Sequence, residues 1–371
     1  VLAAICVGQK NYKDFEVTVR ASAVACFCIG ILLLVAGIFS ATGILKLLNT
    51  KPELLHDAVV YFKIYMLCMP AMAMYNFGNA ILSAQGDTRS PLLYLIAAGI
   101  VNVFLDLLLV IVFKLSVIGV GVATVIAQYI SCILTLRKIY KVLSKNNFDF
   151  KYRQISSYKI LQIIKIGVPA GLQNAIFAIA NLFIVAAVNS FDAAMVAGNA
   201  ATMNGDNLVF NIMSAFYTAG ATFIGQNLGA HKKKRILNSY FISMGYAAIA
   251  GFVLGGVLFA FGQEFLSLFT KDQTVVDYAM QKFKIMTFSF GISAFMDGTI
   301  AASRGLRKTL VPSVMVFIGS CVLRVIWVFT IFAHFRTVES LFLLYPFSWA
   351  VTAIFEIVYF AIIYKKETAD M

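Results

Sequence analysis

Two polar side chains stand one helical turn apart in an otherwise apolar stretch. Residues 100–113 read IVNVFLDLLLVIVF and carry Asn102 and Asp106. An Asp inside a membrane helix costs roughly 2.5 to 3.5 kcal/mol on insertion scales, so we expect a specific role to offset that cost. Residues at i and i+4 share one helix face. A carboxyl placed there can act as a proton switch or as a hard oxygen ligand for Na⁺.

Counting residues from the nearest helix ends adds a third candidate to this pair. Asp106 lies about 17 residues in from Arg89, roughly 25 Å of helix, and Thr124 lies about 9 residues in from Leu115. We therefore predict a cation site of Asn102, Asp106 and Thr124, with Na⁺ at Asp106 if a metal ion is bound. The alternative is a structural cluster whose hydrogen bonds join two helices.

The elements that must position these residues are membrane helices. Of 371 residues, 61% are hydrophobic and 13% charged, and the mean hydropathy is +0.86. A soluble domain is nearer 45 to 50% apolar and about 25% charged. We predict an all-α polytopic membrane protein with ten transmembrane helices, because about 20 apolar residues cross a core of roughly 30 Å. The predicted spans are 17–45, 57–83, 90–114, 117–142, 160–190, 194–225, 236–261, 275–302, 309–333 and 340–364.

The basic residues predict the orientation of those helices. Alternate connections carry 21 Lys and Arg on one side and 8 on the other, with Arg324 left inside a span. The rich side is cytoplasmic by the positive-inside rule, so both chain ends are expected there. The net charge of +13 is then explained by topology, and no nucleic-acid partner is expected.

Two pairs of similar sequence motifs divide the chain into related halves. GQKNYKD at Gly8 resembles GQNLGAHKKKR at Gly225, and SAQGDTRSP at Ser83 resembles ASRGLRKTLVP at Ala302, at separations of 217 and 219. Both pairs of motifs lie on the predicted cytoplasmic side, which indicates parallel repeats. The predicted parts are an N-terminal lobe over 1–144, a cytoplasmic linker over 145–159 and a C-terminal lobe over 160–371.

The repeat also predicts two further helices at the start. The chain begins at Val1 without Met, and only a short segment precedes Gly8, whereas two predicted helices of the second half precede Gly225. We expect an N-terminally truncated chain whose complete form has twelve spans.

The second half carries its own intramembrane polar residues. Asp206 lies in NAATMNGDNLVFN together with Asn204 and other amides, and such a helix should face water or protein. Asn174 and Asn181 on the preceding helix could face it. Arg324 lies near the repeat position of Asp106, and two interpretations stay open for it. It forms an ion pair with Glu356 or Asp297, or it lines a cavity of the second lobe.

Several protein classes are disfavoured. The three histidines fall in connections, and no phosphate-binding loop, nucleophile elbow or metal-ligand cluster occurs in the sequence. We therefore expect no enzyme and no cofactor beyond a coupling ion, H⁺ or Na⁺. The six cysteines lie in apolar segments without zinc-ligand spacing and are interpreted as buried apolar residues.

Five stretches resemble one transporter family over nearly the whole chain. They are MYNFGNAILSAQGDTRSPLLYLIAAGIVNVFLDLLLV (74–110), GVGVATVIAQYIS (119–131), KIGVPAGLQNAIF (165–177), TFIGQNLGAHKKKR (222–235) and YPFSWAVTAI (345–354). The chain resembles the multidrug and toxic compound extrusion (MATE) family, most closely its DinF-type bacterial and archaeal branch.

The resemblance implies a twelve-helix antiporter of two six-helix lobes, exporting amphipathic or cationic organic compounds in exchange for H⁺ or Na⁺. It places Asn102, Asp106 and Thr124 on the family's cation site and Asn79 on a polar pocket position. Gln173 and Asn174 occupy the region where some branches carry a seventh-helix carboxylate, and Asp206 falls where related sequences often place an acid. The protein is then a monomer in the cytoplasmic membrane of a bacterium or archaeon, in contact with lipid.

The chain differs from the family pattern at three positions. The first-helix acid of the family site has no counterpart here, Ser83 replaces a usual Arg, and Arg307 replaces a usual Gly in the second-half turn.

Two other functions are also considered. One is a flippase for lipid-linked glycans, which requires several Arg or Lys in its cleft to hold a pyrophosphate. The sequence places Arg324 alone within a span, which disfavours it. The other rival, a membrane receptor or scaffold, does not require matched bundles.

Overall fold

The computed structural model is helical, and the part of the chain that it describes has ten helices long and apolar enough to cross a membrane. It describes residues 1–47, 50–145, 148 and 155–371, and these ranges contain no β-strand. The predicted all-α membrane fold is confirmed. The helices are α1 Leu2–Gly8, α2 Tyr12–Leu47, α3 Pro52–Met66, α4 Met69–Ala84, α5 Arg89–Leu107, α6 Ser116–Lys145, α7 Ser157–Val188, α8 Ala193–Gly229, α9 Lys233–Ala260, α10 Gly262–Ser267, α11 Gln273–Gly305, α12 Leu310–Val316, α13 Leu323–Trp327, α14 Ala333–Phe335, α15 Val338–Phe342 and α16 Leu344–Glu367.

Three short π-helical stretches interrupt the apolar spans: Leu108–Val112, Phe317–Val322 and Val328–Phe332. A π turn inserts one residue into the α-helical hydrogen-bond ladder and often marks a functional position. The first stretch begins two residues after Asp106, and the other two flank α13, which carries Arg324. Both predicted charge sites are therefore next to irregular helix.

The chain divides into two compact units. The N-terminal unit is Lys10–Ile163, and the C-terminal unit combines Val1–Gln9 with Ile164–Met371. Most of the predicted linker over 145–159, namely 146–147 and 149–154, lies outside the described residues. At its end, Lys159 forms an ion pair of 2.7 Å with Asp14 inside the N-terminal unit.

The first nine residues differ from the predicted lobe 1–144, because α1 packs on α8 within the C-terminal unit. Glycine allows this close approach. A Cβ on Gly8 would collide with the backbone of Gln226, and one on Gly229 would collide with the backbone of Ile5. At each of these contacts a glycine on one helix lies directly against the backbone of the other.

The N-terminal unit is built from α2 to α6, with α4 and α6 packed together and α5 packed on α6. Ala71, Tyr75 and Cys132 form a small buried cluster between α4 and α6. The hydroxyl of buried Tyr75 donates to the carbonyl of Pro91 at 3.1 Å, which ties α4 to the first turn of α5. Large apolar side chains elsewhere on α5, such as Phe104 and Leu107, are exposed, as suits contact with hydrocarbon.

The C-terminal unit is organised around α11, which packs against α8, α9 and α16. Phe283, Met286 and Phe290 of this helix contribute to a large buried cluster, together with Met213 of α8 and Trp349 of α16. Four of its Ser and Thr hydroxyls donate to carbonyls three or four residues earlier in the same helix. Such bonds satisfy polar groups without an outside partner, so a helix rich in small polar residues can lie in the interior. These bonds are made by Thr287, Ser289, Ser293 and Thr299.

The turns of the two halves repeat with one constant offset along the chain. Lys10 corresponds to His231, with left-handed φ of +55° and +52°, and Gly86 corresponds to Arg307, with +90° and +64°. The separations of 217 and 219 taken from the sequence are therefore too short, by up to about one helical turn. The error arises because Gly8, the last residue of α1, was aligned with Gly225, whereas α8 continues to Gly229. The corrected register pairs Asp106 with Trp327, about one turn beyond Arg324.

Candidate functional site

The predicted cation site places two side chains on α5 with unsatisfied polar atoms. Oδ1 of Asp106 and Nδ2 of Asn102 are both buried without a hydrogen-bond partner among the described residues. Buried polar atoms in proteins are normally paired, so each such atom requires an explanation. The two residues share the face that their i, i+4 spacing predicts, directly before the π turn Leu108–Val112. An acid and an amide so placed offer oxygen ligands to a cation.

The other two predicted residues of the N-terminal unit are engaged differently. Thr124 lies on α6, which packs on α5, and its hydroxyl donates to the carbonyl of Val120 at 2.9 Å. That bond uses the proton and leaves the oxygen lone pairs, so Thr124 can still accept or coordinate. Asn79 lies on α4, and its Oδ1 accepts from Ser83 at 3.3 Å.

A cavity of about 290 Å³ in the C-terminal unit collects most of the predicted charges of the second half. We call it the Arg324 cavity. Asp206, Asp297 and Arg324 line it, together with amides and aromatic rings of α7, α8, α11 and α16. Those further residues are Phe177, Asn181, Asn199, Asn207, Phe210, Lys282, Tyr345 and Trp349.

Asp206 is half of a buried ion pair. Its Oδ2 is 2.8 Å from the Nζ of Lys282 on α11, and the same Nζ donates to Oδ1 of Asn199 at 3.0 Å. Lys282 is 3% exposed, so the pair lies out of water. The other carboxylate oxygen, Oδ1 of Asp206, is buried without a partner among the described residues. The charge of Asp206 is thus compensated, while one oxygen remains free to accept.

Arg324 resolves the alternatives left open by the sequence. It forms no ion pair with Glu356 or Asp297 within the described residues, and it does line the cavity. Its Nε donates to Ser348 at 3.1 Å and its Nη1 to Asn181 at 3.4 Å. Of the two alternatives, the ion pair is not found among the described residues, because the guanidinium is directed toward Ser348 of α16 and Asn181 of α7, whose oxygens accept its hydrogen bonds.

A second cavity of about 460 Å³ lies further along α11. Asp297 lines both cavities, and Arg304, Gln173 and Asn174 line the second. Oε1 of buried Gln173 accepts from Nη2 of Arg304 and from Oγ of Ser313, each at 2.9 Å. Lys282 and Arg304 are about 22 residues apart on α11, so charged groups occupy about 33 Å of this helix.

Four predicted residues of the second half lie apart from the Arg324 cavity: Gln173, Asn174, Asn204 and Glu356. Asn204 is exposed on α8 and does not line it; Asn199 and Asn207 of the same helix do. Asn174 lines the second cavity instead. Glu356 on α16 is fully buried, and both of its carboxyl oxygens lack a hydrogen-bond partner in the described part of the chain.

Lys282 and Arg304 are the functional candidates that the sequence reasoning missed. Lys282 was counted with the connections because long basic side chains near a span end usually reach the interface. A signal was present, since Lys282 stands well inside the predicted span 275–302 and Lys284 follows two residues later. Two residues turn a helix by about 200°, so the two lysines face opposite ways. In the structure Lys284 is exposed and Lys282 is buried.

The first-half turn outside the spans holds a compact ionic cluster. Asp87 accepts from the backbone N–H of Ser90 at 3.0 Å and from its hydroxyl at 2.8 Å, and Lys138 Nζ lies 3.1 Å away. Burial alone would raise the pKa of Asp87, but these donors together hold its pKa below the usual value. The turn in the motif SAQGDTRSP is therefore fixed to α6.

Comparison with known proteins follows the two-unit plan. The family model described as MatE matches residues 1–108 and 169–330. The chain is 25% identical over 286 residues to the probable multidrug resistance protein YpnP of Bacillus subtilis, covering 76% of this chain and 64% of that protein. It is 24% identical over 379 residues to the probable multidrug resistance protein YoeA of the same organism, covering 99% and 81%. An FAD transporter of Shewanella oneidensis is 27% identical over 251 residues, covering 66% and 54%. The chain thus spans less than two thirds of YpnP and of the FAD transporter.

Solved structures share the fold. An outward-facing multidrug resistance MATE family transporter of the MOP superfamily superposes with a TM-score of 0.90 at 17% identity, over 99% of this chain and 82% of that one. A MOP superfamily transporter from Pyrococcus furiosus, described as having a binding pocket of reverse polarity, gives 0.90 at 18% identity over the same shares. Because the family model matches well over half of the chain, in both of its units, the protein belongs to the multidrug and toxic compound extrusion (MATE) family of membrane transporters.

Proposed function

We propose that the protein is a cation-coupled efflux antiporter that exports amphipathic or cationic organic compounds by alternating access. The observation that carries this proposal is Asp106, an acid in an apolar helix whose Oδ1 is buried without a hydrogen-bond partner in the described chain. A purely structural acid would be expected to have its oxygens paired. An unpartnered oxygen beside an amide and a π turn suits a group that exchanges a proton or Na⁺.

In this proposal the cation bound at Asp106 selects between two conformations of the transporter. Binding or release changes the charge in the N-terminal unit, so each charge state favours a different access state. One cation moving down 100 mV supplies about 2.3 kcal/mol, enough for roughly a 50-fold gradient of a neutral substrate. The protein works as a monomer in a lipid membrane, with both ends on the cytoplasmic side and without an enzymatic step.

The experiment is dye efflux from proteoliposomes driven separately by a proton gradient and by a Na⁺ gradient. Asp106→Asn should abolish gradient-driven efflux, because the amide neither titrates nor carries a charge. Asp57→Asn, an exposed acid of α3, is the matched control and should transport normally. The gradient that drives the parent protein identifies the coupling ion. Unchanged efflux by Asp106→Asn would refute the coupling role.

One observation favours a second candidate function, transport of an anionic lipid-linked or nucleotide-like compound. The sequence argument against it counted Arg324 as the sole base within a span, but Lys282 and Arg304 also lie within α11, and Lys282 is buried. A related protein is named an FAD transporter. In a competition assay, a lipid-linked pyrophosphate should displace the dye under this function, whereas an excess of organic cation should displace it under the first.

A further inference from the structure

One end of the C-terminal unit carries a dense group of exposed basic side chains. Nζ of Lys233, at the start of α9, donates to the carbonyl of Thr368 at 2.8 Å. Lys308, in the turn after α11, pairs with Glu367 of α16 at 2.9 Å. These contacts bring the start of α9, the turn after α11 and the end of α16 together. Six further bases at this end are exposed, and we call them the basic patch: Lys232, Lys234, Arg235, Arg307, Lys365 and Lys366.

The protein does not neutralise the basic patch within the described residues. None of the six side chains forms an ion pair there. Of the two acidic side chains that the described chain places at this end, Glu367 is bound to Lys308, which leaves exposed Asp370. The first turn of α9 contains bases and no acid, although the positive end of a helix dipole favours an acid there. Anions from outside the chain are therefore expected to stabilise this surface.

The opposite end of the same unit carries the reverse charge. It consists of the segments that join α7 to α8, α9 to α11 and α14 to α16, with the two helical turns that follow each. In the described chain these segments hold two bases, Lys271 and Arg336. They hold five acids: Asp192, Glu264, Asp272, Asp277 and Glu339. The excess of positive charge is thus a property of one end of the unit, and an anion is attracted to that end alone.

Four bases of the basic patch stand at the end of an exposed apolar stripe on their own helix. The pairs are Lys234 with Phe241 and Arg235 with Ile242 on α9, and Lys365 with Val358 and Lys366 with Ile362 on α16. The members of each pair are four or seven residues apart, so they share one helix face. A base above an exposed apolar stripe matches an amphiphile with an anionic head and a hydrocarbon chain. A soluble polyanion would contact the bases and leave the apolar stripes unused.

We propose that the basic patch binds anionic phospholipids, with the lipid phosphate on the patch side chains and the acyl chains along the exposed apolar face of α9 or of α16. The positive-inside rule assigns this end to the cytoplasmic leaflet. Each base near an anionic lipid contributes roughly a fivefold factor to binding. The proposal goes beyond the efflux function and does not rest on it, since lipid binding requires no gradient, no coupling ion and no substrate.

The test measures which lipid lies beside each end of α9. The full chain is reconstituted into bilayers that mix anionic phosphatidylglycerol with zwitterionic phosphatidylcholine of the same acyl chains. Bromine on the acyl chains quenches tryptophan on contact, so brominating each lipid in turn gives their relative occupancy beside a reporter. Phe241→Trp places one reporter two turns from Lys234, and Phe261→Trp places the matched reporter directly after the other end of α9. The signal of the two native tryptophans is subtracted with the parent protein.

The reporter beside the basic patch should be quenched preferentially by phosphatidylglycerol. For Phe241→Trp the preference should reach up to about 25-fold, because two bases on α9 each contribute roughly fivefold. Phe261→Trp should show no such preference. Adding Lys234→Gln and Arg235→Gln to the Phe241→Trp protein should make quenching by the two lipids nearly equal. Both bases are exposed, so their replacement leaves the packed interior unchanged.

A gain of binding separates a lost site from a damaged protein. Asn238→Lys adds a base to the exposed face of Lys234, one turn further along α9, and should raise the preference at Phe241→Trp by about fivefold. Lys271→Gln with Arg336→Gln is the matched control. It removes one Lys and one Arg from the opposite end of the unit and should leave the preference at Phe241→Trp unchanged.

Three results would overturn the proposal. The first is equal quenching of Phe241→Trp by both lipids. The second is a preference for phosphatidylglycerol that survives Lys234→Gln with Arg235→Gln. The third is a preference that inorganic phosphate abolishes and sodium chloride of the same ionic strength does not, which would assign the basic patch to a soluble phosphate compound.

Discussion

The two units share a backbone plan and place opposite charges on it. In the N-terminal unit the turn after α4 carries the acid Asp87, which pairs with Lys138 of α6 at 3.1 Å. In the C-terminal unit the turn after α11 carries the base Lys308, which pairs with Glu367 of α16 at 2.9 Å. Asp87 and Lys308 occupy equivalent positions, since each directly follows the left-handed residue of its turn. The comparison shows that the repeat preserves the position at which a turn forms an ion pair with a helix. Which partner carries the acid and which the base differs between the two halves.

The same contrast holds inside the spans. The candidate site of the N-terminal unit has Asp106 with no charged partner among the described residues, whereas the C-terminal unit pairs Asp206 with Lys282 and keeps Arg324 among rings. The two units therefore differ in how their intramembrane charges are compensated.

The largest expected effect is a loss of stability, and it tests the difference in charge compensation between the two units. Asp206→Asn should destabilise the protein by about 3 to 5 kcal/mol, because it leaves Lys282 as an unpaired buried charge. Asp106→Asn removes no ionic partner and should change stability much less. Thermal unfolding in detergent measures both. The double variant Asp206→Leu with Lys282→Met should recover most of the loss, and equal losses for Asp206→Asn and Asp106→Asn would contradict the contrast.

A smaller effect is expected at the left-handed turn positions. Arg307 has φ +64° where the first half has Gly86 at +90°. A left-handed conformation costs a residue with a Cβ roughly 1 kcal/mol, so Arg307→Gly should stabilise the C-terminal unit by up to about that amount and Gly86→Ala should destabilise the N-terminal unit similarly. Opposite shifts in the unfolding midpoint would support the shared turn geometry. Shifts of the same sign would show that the two turns are not equivalent.

The smallest effect concerns the reversed ion pairs. Partly exposed pairs contribute about 0.2 to 1 kcal/mol, so Asp87→Asn or Lys308→Gln should each lower stability within that range. The pKa of Asp87 is held below its ordinary value of 3.8, so its contribution is present above that pH and is lost as the pH falls through the lower folded pKa. Unfolding midpoints measured from pH 6 to pH 3 should fall more steeply for the parent than for Asp87→Asn. If the unfolding midpoints of the parent and of Asp87→Asn changed equally with pH, the ion pair of Asp87 with Lys138 would not stabilise the turn.

The location of the spans could be predicted because it depends on local composition. A run of about 20 apolar residues must be helical in a membrane whatever its neighbours are, since its backbone groups have no other partners there. The predicted span 90–114 and the helical stretch Arg89–Val112 differ by two residues or fewer at each end. Left-handed Arg307 was also foreseeable as a turn position, because it stands where the resemblance expects Gly.

The charge partners could not be predicted in the same way. The sequence places Lys282 and Arg304 by their distance from a span end and Arg324 by its repeat position, which gives depth but not direction. The direction depends on the rotation of each helix about its axis, and one residue changes it by about 100°. Lys282 and Lys284 show the consequence, since one is buried against Asp206 and the other is exposed.

The sequence alone determined that this is an all-α membrane protein with two related halves and an acid in the middle of one span, because length, apolarity and repetition are properties of the chain itself. The tertiary structure decided that Arg324 lines a cavity without an ion pair among the described residues, that Asp206 pairs with Lys282, and that the repeat aligns Gly86 with Arg307. These depend on which helix faces meet, and that is fixed by packing between segments far apart in the chain.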